Sequence, residues 1–107
     1  MTQRPPARVE ALRRMADRNP DDPRPHFGLA AEYERVEDWP RVVEHLETYL
    51  RLADDEGNAW GRLGRALRAL GRDEAARDAY RRGIEAADRH GHPSMAAEFE
   101  EELGGSR

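Results

Sequence analysis

Four arginines recur at spacings of three and four residues and could together bind an anion. They are Arg62, Arg65, Arg68 and Arg72. Residues three and four apart lie on one side of a helix, so these side chains form a stripe if this segment is helical. A guanidinium group binds a carboxylate through two parallel hydrogen bonds, and it also binds phosphate. The spacing therefore predicts a site for the carboxylates of a peptide or for the phosphates of a nucleic acid.

Charge favours the peptide over the nucleic acid. The 107-residue chain holds 18 basic residues, all of them arginine, against 22 acidic residues, which gives a net charge of -4. Four arginines on an acidic protein are a small footprint for a nucleic-acid backbone, whose affinity for a protein comes largely from neutralised phosphates. We expect no nucleic acid among the partners.

A second group of residues could hold a metal ion. His90 and His92 flank a glycine, and Glu98 follows them. Imidazole and carboxylate groups are common zinc ligands, but this spacing matches no recognised site. No order of serine, histidine and aspartate, no phosphate-binding glycine loop and no pair of carboxylates indicates catalysis. We predict no metal, no cofactor and no enzyme activity.

Length and composition are typical of one small folded domain spanning residues 1–107. Hydrophobic residues make up 37% of the chain, charged residues another 37%, and cysteine is absent. Without cysteine, nothing points to an oxidising compartment. The first eight residues contain two arginines and two prolines with no apolar run behind them, and no segment has membrane-spanning length. We expect a cytoplasmic protein with no membrane anchor.

Two segments with the same pattern of apolar residues lie 34 positions apart. Residues 26–33 with Leu46 correspond to residues 60–67 with Tyr80, and Leu12 continues the register towards the N-terminus. A period of this length is typical of stacked helix-turn-helix units, in which each hairpin covers the apolar face of its neighbour. The first helix then forms the second half of an incomplete repeat.

Proline, glycine and aspartate mark the predicted helix boundaries, with Asp22 and Asp38 as N-terminal caps. We predict a leading helix, a first repeat, a second repeat, a capping helix and a tail. These segments span residues 4–19, 22–53, 56–90, 93–103 and 104–107, respectively. Ser94 and Ala97 stand where the repeat requires bulky residues, so either the register slips in the last helix or that helix is a modified cap.

The second unit resembles the tetratricopeptide repeat family. The residues that match the family pattern are Trp60, Leu63, Gly64, Leu67, Gly71, Ala76 and Tyr80. The first unit is degenerate, since Glu37 replaces the turn glycine. Small residues at Ala30 and Gly64 would let paired helices approach closely. The resemblance implies an all-α, right-handed α-solenoid of two full units with an N-terminal half-repeat helix and a C-terminal capping helix.

In such a stack, the first helix of each pair lines the concave side. Residues one position after the packing residues, turned by about 100°, face this groove. The candidate site residues are Arg24, Phe27, Ala31, Glu34, Asn58, Gly61, Arg62, Arg65 and Arg68. The family commonly binds extended peptides here, although Phe27 and Ala31 replace the lysine and asparagine with which one subclass clamps a terminal carboxylate. We predict a non-catalytic adaptor or scaffold that binds an acidic peptide with an apolar anchor.

Two alternatives remain open. Arg65 and Arg68 could be solvated, or paired with Glu34 or with the acidic run at residues 98–102, since charged helix faces often serve no other purpose. The chain could also be a structural protein, or a weak homodimer, that assembles through the two ends of the stack. The end residues are Val9, Leu12 and Met15 on one side and Met95, Phe99 and Leu103 on the other.

Overall fold

Residues 7–104 are described by a computed structural model, and they form six helices. These are α1 (Ala7–Arg18), α2 (Arg24–Arg35), α3 (Trp39–Leu52), α4 (Asn58–Ala69), α5 (Asp73–Arg89) and α6 (Pro93–Gly104). The start of the expected leading helix, residues 4–6, and tail residues 105–107 lie outside the described part of the chain. Gly104, which the sequence placed in the tail, is the last residue of α6.

The helices stack in chain order. Each helix makes its extensive contacts with the next one along the chain, from α1 against α2 to α5 against α6, and residues 7–104 contain no strand. This arrangement is typical of a solenoid of helical hairpins, in which each unit buries its apolar face against its neighbour. The predicted all-α solenoid, with a leading helix before two hairpins and a cap after them, is confirmed.

Three aspartates satisfy the free N–H groups at the starts of helices, where no intrahelical partner exists. Asp22, Asp38 and Asp55 precede α2, α3 and α4. The Asp22 carboxylate accepts a hydrogen bond from the N–H of Arg24, and that of Asp38 accepts one from the N–H of Arg41. The Asp55 carboxylate accepts two, from the N–H groups of Gly57 and Ala59. Asp55 is itself buried. Asp38 is the N-cap of α3 as predicted, whereas the N-cap of α2 is Pro23 and Asp22 lies one residue before it.

One type of turn ends α2, α4 and α5. The residue after each C-cap has a left-handed backbone, with φ of 55° at Glu37, 76° at Gly71 and 75° at Gly91. The next residue bonds back into the helix, as the N–H of Asp38 does to the carbonyl of Tyr33 at 3.0 Å. This is the Schellman motif, which normally has glycine at the left-handed position. In the first repeat a glutamate occupies that position.

Glycines allow the helices to approach closely around α4. A Cβ atom at Gly64 would lie 2.8 Å from the Tyr80 ring of α5, and one at Gly61 would lie 2.5 Å from the Phe99 ring of α6. Ala30 is fully buried where α2 packs. The prediction that small residues at Ala30 and Gly64 permit close packing is therefore consistent with the structure.

The register of α6 differs from that of the other first helices. Met95, Ala96 and Phe99 face the stack, whereas Ser94 and Ala97 are exposed. The packing face is thus displaced by one position relative to the 34-residue repeat. A slip was one of the two outcomes that the sequence left open, and it places Phe99 in the space above two glycines, Gly61 and Gly83.

A histidine pair joins α2 to α3. The Nδ1 atoms of His26 and His45 lie 3.1 Å apart, the two rings stack at 5.4 Å, and Tyr33 stacks on the other side of His45 at 5.6 Å. A hydrogen bond between two Nδ1 atoms needs at least one neutral imidazole. Burial lowers the pKa of His26 and of His45, and the Arg51 charge lowers that of His26 further.

Replacing Glu37 by glycine should stabilise the protein by about 1 kcal/mol, because the left-handed conformation costs other residues roughly 1–2 kcal/mol and glycine much less. Gly71→Glu is the matched reversal in the second repeat. No heavy atom would contact a Cβ there, so the expected loss of about 1 kcal/mol reflects the backbone alone. Urea unfolding measures both variants, and destabilisation by Glu37→Gly would contradict the assignment.

Acidification should destabilise the protein through the histidine pair. Because both native pKa values lie below the usual 6.5, the unfolded chain binds protons first, so stability is full above about pH 6.5 and falls as the pH drops through the native values. Asp22 titrates in another range, since its bond to Arg24 lowers its pKa to about 2. Melting temperatures between about pH 7.5 and 5 should fall less for His45→Phe than for the wild type. Equal falls would contradict this explanation.

Candidate functional site

The two sides of α4 carry different side chains. Successive residues turn by about 100° around a helix, which places Gly61, Arg62, Arg65 and Arg68 on one side. Trp60, Leu63 and Leu67 lie on the opposite side. The arginine side contacts α2 and α6, and we call this surface the α2–α4–α6 face. Its central residues are Phe27, Glu34, Arg62, Arg65, Arg68 and Glu102.

Glu34 binds two arginines of this face. Its carboxylate lies 3.1 Å from Nε of Arg62, which donates a hydrogen bond, and 3.8 Å from Nη1 of Arg65. The Arg62 and Glu34 side chains are only 22% and 24% exposed, whereas that of Arg65 is 65% exposed. Arg62 is therefore held in place by Glu34, and Arg65 is the more accessible cation.

Phe27 is part of the packing and not a free anchor. Its ring lies 5.0 Å from that of Tyr49, and the guanidinium group of Arg62 lies 5.1 Å above it. Both contacts help to cover its apolar surface. The sequence placed Phe27 open in the groove, but the structure has it partly buried against the core.

Arg68 connects α4 to the capping helix. It donates a hydrogen bond of 2.6 Å to the Glu102 carboxylate and one of 3.1 Å to the Glu102 carbonyl oxygen. Its guanidinium group also lies 5.1 Å from the centre of the Tyr80 ring. Both pairings left open by the sequence occur, since Arg65 lies beside Glu34 and Arg68 pairs with Glu102 of the acidic run.

Gly61 is covered by an aromatic ring. The Phe99 ring lies directly above it, at the position that a Cβ atom would need. Beside this contact a cleft of about 330 Å³ remains between α4 and α6. Its lining residues are Asn58, Gly61, Arg62, Arg65, Arg68, Tyr80, Met95, Glu98, Phe99 and Glu102. The sequence analysis did not predict that Tyr80, Met95 and Phe99 line this cleft. The displaced register of α6 is the signal that could have indicated Met95 and Phe99.

Of the remaining candidate residues, Asn58 lines the cleft between α4 and α6, whereas Arg24 and Ala31 do not. Asn58 is exposed at the start of α4, and Ala31 is partly buried on α2. Arg24 binds Asp22 at 2.8 Å and borders a small cleft with Met15 of α1. Arg72, which the spacing placed in the stripe, follows the turn after α4 and lies in a cleft on the other side of that helix.

The histidines of the turn between α5 and α6 lie beside the acidic turn before α4. Nε2 of His90 is 3.2 Å from Asp54, and Nε2 of His92 is 3.4 Å from Glu56. Both nitrogens are shielded from water, and neither carboxylate is aligned well enough for a hydrogen bond. Glu98 instead lines the cleft between α4 and α6. Residues 7–104 contain no group of three or more metal-binding side chains.

The end residues named for the self-assembly alternative differ in exposure, and Leu12, Met95 and Leu103 are partly exposed. Val9 is 2% exposed and Phe99 is 9% exposed, because both pack inside the chain. Met15, with 44% of its surface exposed, is the open residue of that set. None of the described helices combines the length and the apolar character needed to cross a membrane.

Comparison with known proteins gives the family. No protein-family model matches this chain. The chain is similar to TPR repeat-containing protein PA0015 of Pseudomonas aeruginosa, with 31% identity over 91 residues. The alignment covers 85% of this chain and 87% of that relative. Together with the 34-residue period and the stack of helical hairpins, this similarity shows that the chain belongs to the tetratricopeptide repeat family.

Proposed function

We propose that this chain is a non-catalytic adaptor of the cytoplasm that binds a peptide segment of another protein on the α2–α4–α6 face. Tetratricopeptide repeat proteins are in general protein-interaction modules. The observation that carries the finer proposal is the row of three arginines on α4, which borders a cleft of about 330 Å³ beside the capping helix.

The two internal glutamates support recognition of carboxylates. Glu34 and Glu102 already place their carboxylates against Arg62, Arg65 and Arg68, in the manner that an acidic peptide would use. Glu98 also borders the cleft. A ligand carboxylate must therefore compete with the protein's own acids, and we expect a modest affinity that depends on salt.

Arg65 is the best-placed contact for such a ligand. Its side chain is the most exposed of the three, and its distance of 3.8 Å from Glu34 is long for an ion pair. A carboxylate that approached from solvent could bind Arg65 without displacing Arg68 from the capping helix. The interaction would then leave the stack intact, as binding to a pre-formed repeat surface requires.

The experiment is affinity capture of partners from the source cell, followed by titration of the identified partner against purified variants. Arg65→Glu should weaken binding about tenfold or more, since a hydrogen bond to a charged group contributes roughly 1.5–3 kcal/mol. Glu34→Gln should strengthen binding several-fold, because it removes a competing carboxylate and keeps the shape of the side chain.

Arg81→Glu provides the matched control, since Arg81 is exposed on α5 and lies outside this cleft. It makes the same change of charge and should alter the affinity by less than about twofold. An unchanged affinity for both Arg65→Glu and Glu34→Gln would remove the proposed site.

A further inference from the structure

A second and larger cleft lies between α3 and α5, with α4 as its floor. Its volume is about 580 Å³, within the range of roughly 300–1,000 Å³ typical of binding clefts. Its apolar lining residues are Leu50, Trp60, Leu63, Leu67, Ala75 and Ala79. Its charged residues are Glu47, Arg51, Arg72, Asp78 and Arg82. We call it the α3–α5 cleft.

This cleft is separate from the α2–α4–α6 face. The residues that α4 contributes to the cleft are Trp60, Leu63 and Leu67. At about 100° per residue they lie on the side of α4 opposite Arg62 and Arg65. A ligand in the α3–α5 cleft could therefore bind at the same time as a peptide on the other face.

The floor of the cleft is apolar and only partly covered. Leu63 and Leu67 are each 5% exposed, whereas Leu50 and Trp60 are partly open to solvent. The Arg82 guanidinium group lies 5.5 Å from the centre of the Trp60 ring and shields one side of it. A large apolar side chain seated beside this tryptophan would remove the remaining surface from water.

The charges around the cleft favour an acidic partner. Asp78 is already bound to Arg82, at 3.1 Å. Arg51 donates a hydrogen bond to the neutral Thr48 hydroxyl, and neither Arg51 nor Arg72 has a carboxylate within 4 Å among residues 7–104. Among residues 7–104, Glu47 is the one acidic residue of the cleft without an ion pair. The two arginines therefore outnumber it.

We propose that the α3–α5 cleft docks an amphipathic helix of a partner protein, with an apolar side chain on Trp60 and carboxylates towards Arg51 and Arg72. Two helices form its walls and a third its floor, so an incoming helix would pack as the helices of the stack do. Arg51 belongs to α3 and Arg72 precedes α5, so one arginine lies on each side of the cleft. Together they can bind acidic residues on both flanks of the incoming helix.

The test is a selection from displayed helical peptides. Each probe peptide has leucine or phenylalanine at positions i, i+4 and i+7, and its flanking positions vary among glutamate, lysine and alanine. Immobilised protein should enrich peptides with glutamate on both flanks. Absence of enrichment, or enrichment of lysine, would overturn the proposal.

Variants locate the binding of the selected peptides. Ala75→Trp fills the cleft from an exposed position on α5 and should weaken binding about tenfold or more, as should the double charge reversal Arg51→Glu with Arg72→Glu. Arg81→Glu, exposed on the same helix, should leave the affinity within about twofold. Circular dichroism checks that each variant keeps its helices.

The same measurements separate this site from the α2–α4–α6 face. Arg65→Glu should leave the selected peptides bound with wild-type affinity. Loss of binding with Arg65→Glu and not with Ala75→Trp would overturn the second site and leave the function proposed above intact. Self-association of the wild type that Ala75→Trp abolishes would show that a second copy of this chain occupies the cleft, and would also overturn the proposal.

Discussion

The stack depends on aromatic rings packed directly against glycines. Tyr80 lies over Gly64, and Phe99 lies over both Gly61 and Gly83, at distances that leave no room for a Cβ atom. The two rings also contact each other, with centres 5.8 Å apart. These contacts bring α4, α5 and α6 together and bury the aromatic surface that stabilises the last three helices.

This packing decides what each side of α4 can do. On one side, Phe99 holds the capping helix close enough for Glu102 to bind Arg68, so the arginine row has an internal acidic neighbour. On the other side, a cleft of about 580 Å³ remains above α4, between α3 and α5. One helix thus presents a charged surface and an apolar one in opposite directions. An adaptor needs two such surfaces if it is to connect two partners.

Much of the fold follows from local sequence signals. Aspartate caps, prolines in first turns and glycines in left-handed turns identify the helices, because each satisfies a local backbone requirement. The site was less accessible to sequence reasoning. Whether Arg65 and Arg68 are solvated or paired depends on Glu34 and Glu102, which are 31 and 34 positions away from them, and so on how hairpins stack. Arg72 was misplaced because the turn after Gly71 redirects the chain, and the α3–α5 cleft arises from spacing between helices that no motif encodes.

The free energy of unfolding of Gly64→Ala tests the central claim most directly. Alanine in a helix interior is more favourable than glycine by about 1 kcal/mol, and Ala97→Gly, at an exposed interior position of α6, measures that difference in this protein. The overpacking expected from a methyl group 2.8 Å from the buried Tyr80 ring costs roughly 1–3 kcal/mol. We therefore expect Gly64→Ala to be less stable than the wild type despite its better helix propensity. A more stable variant would show that the close contact between α4 and α5 does not hold the stack together.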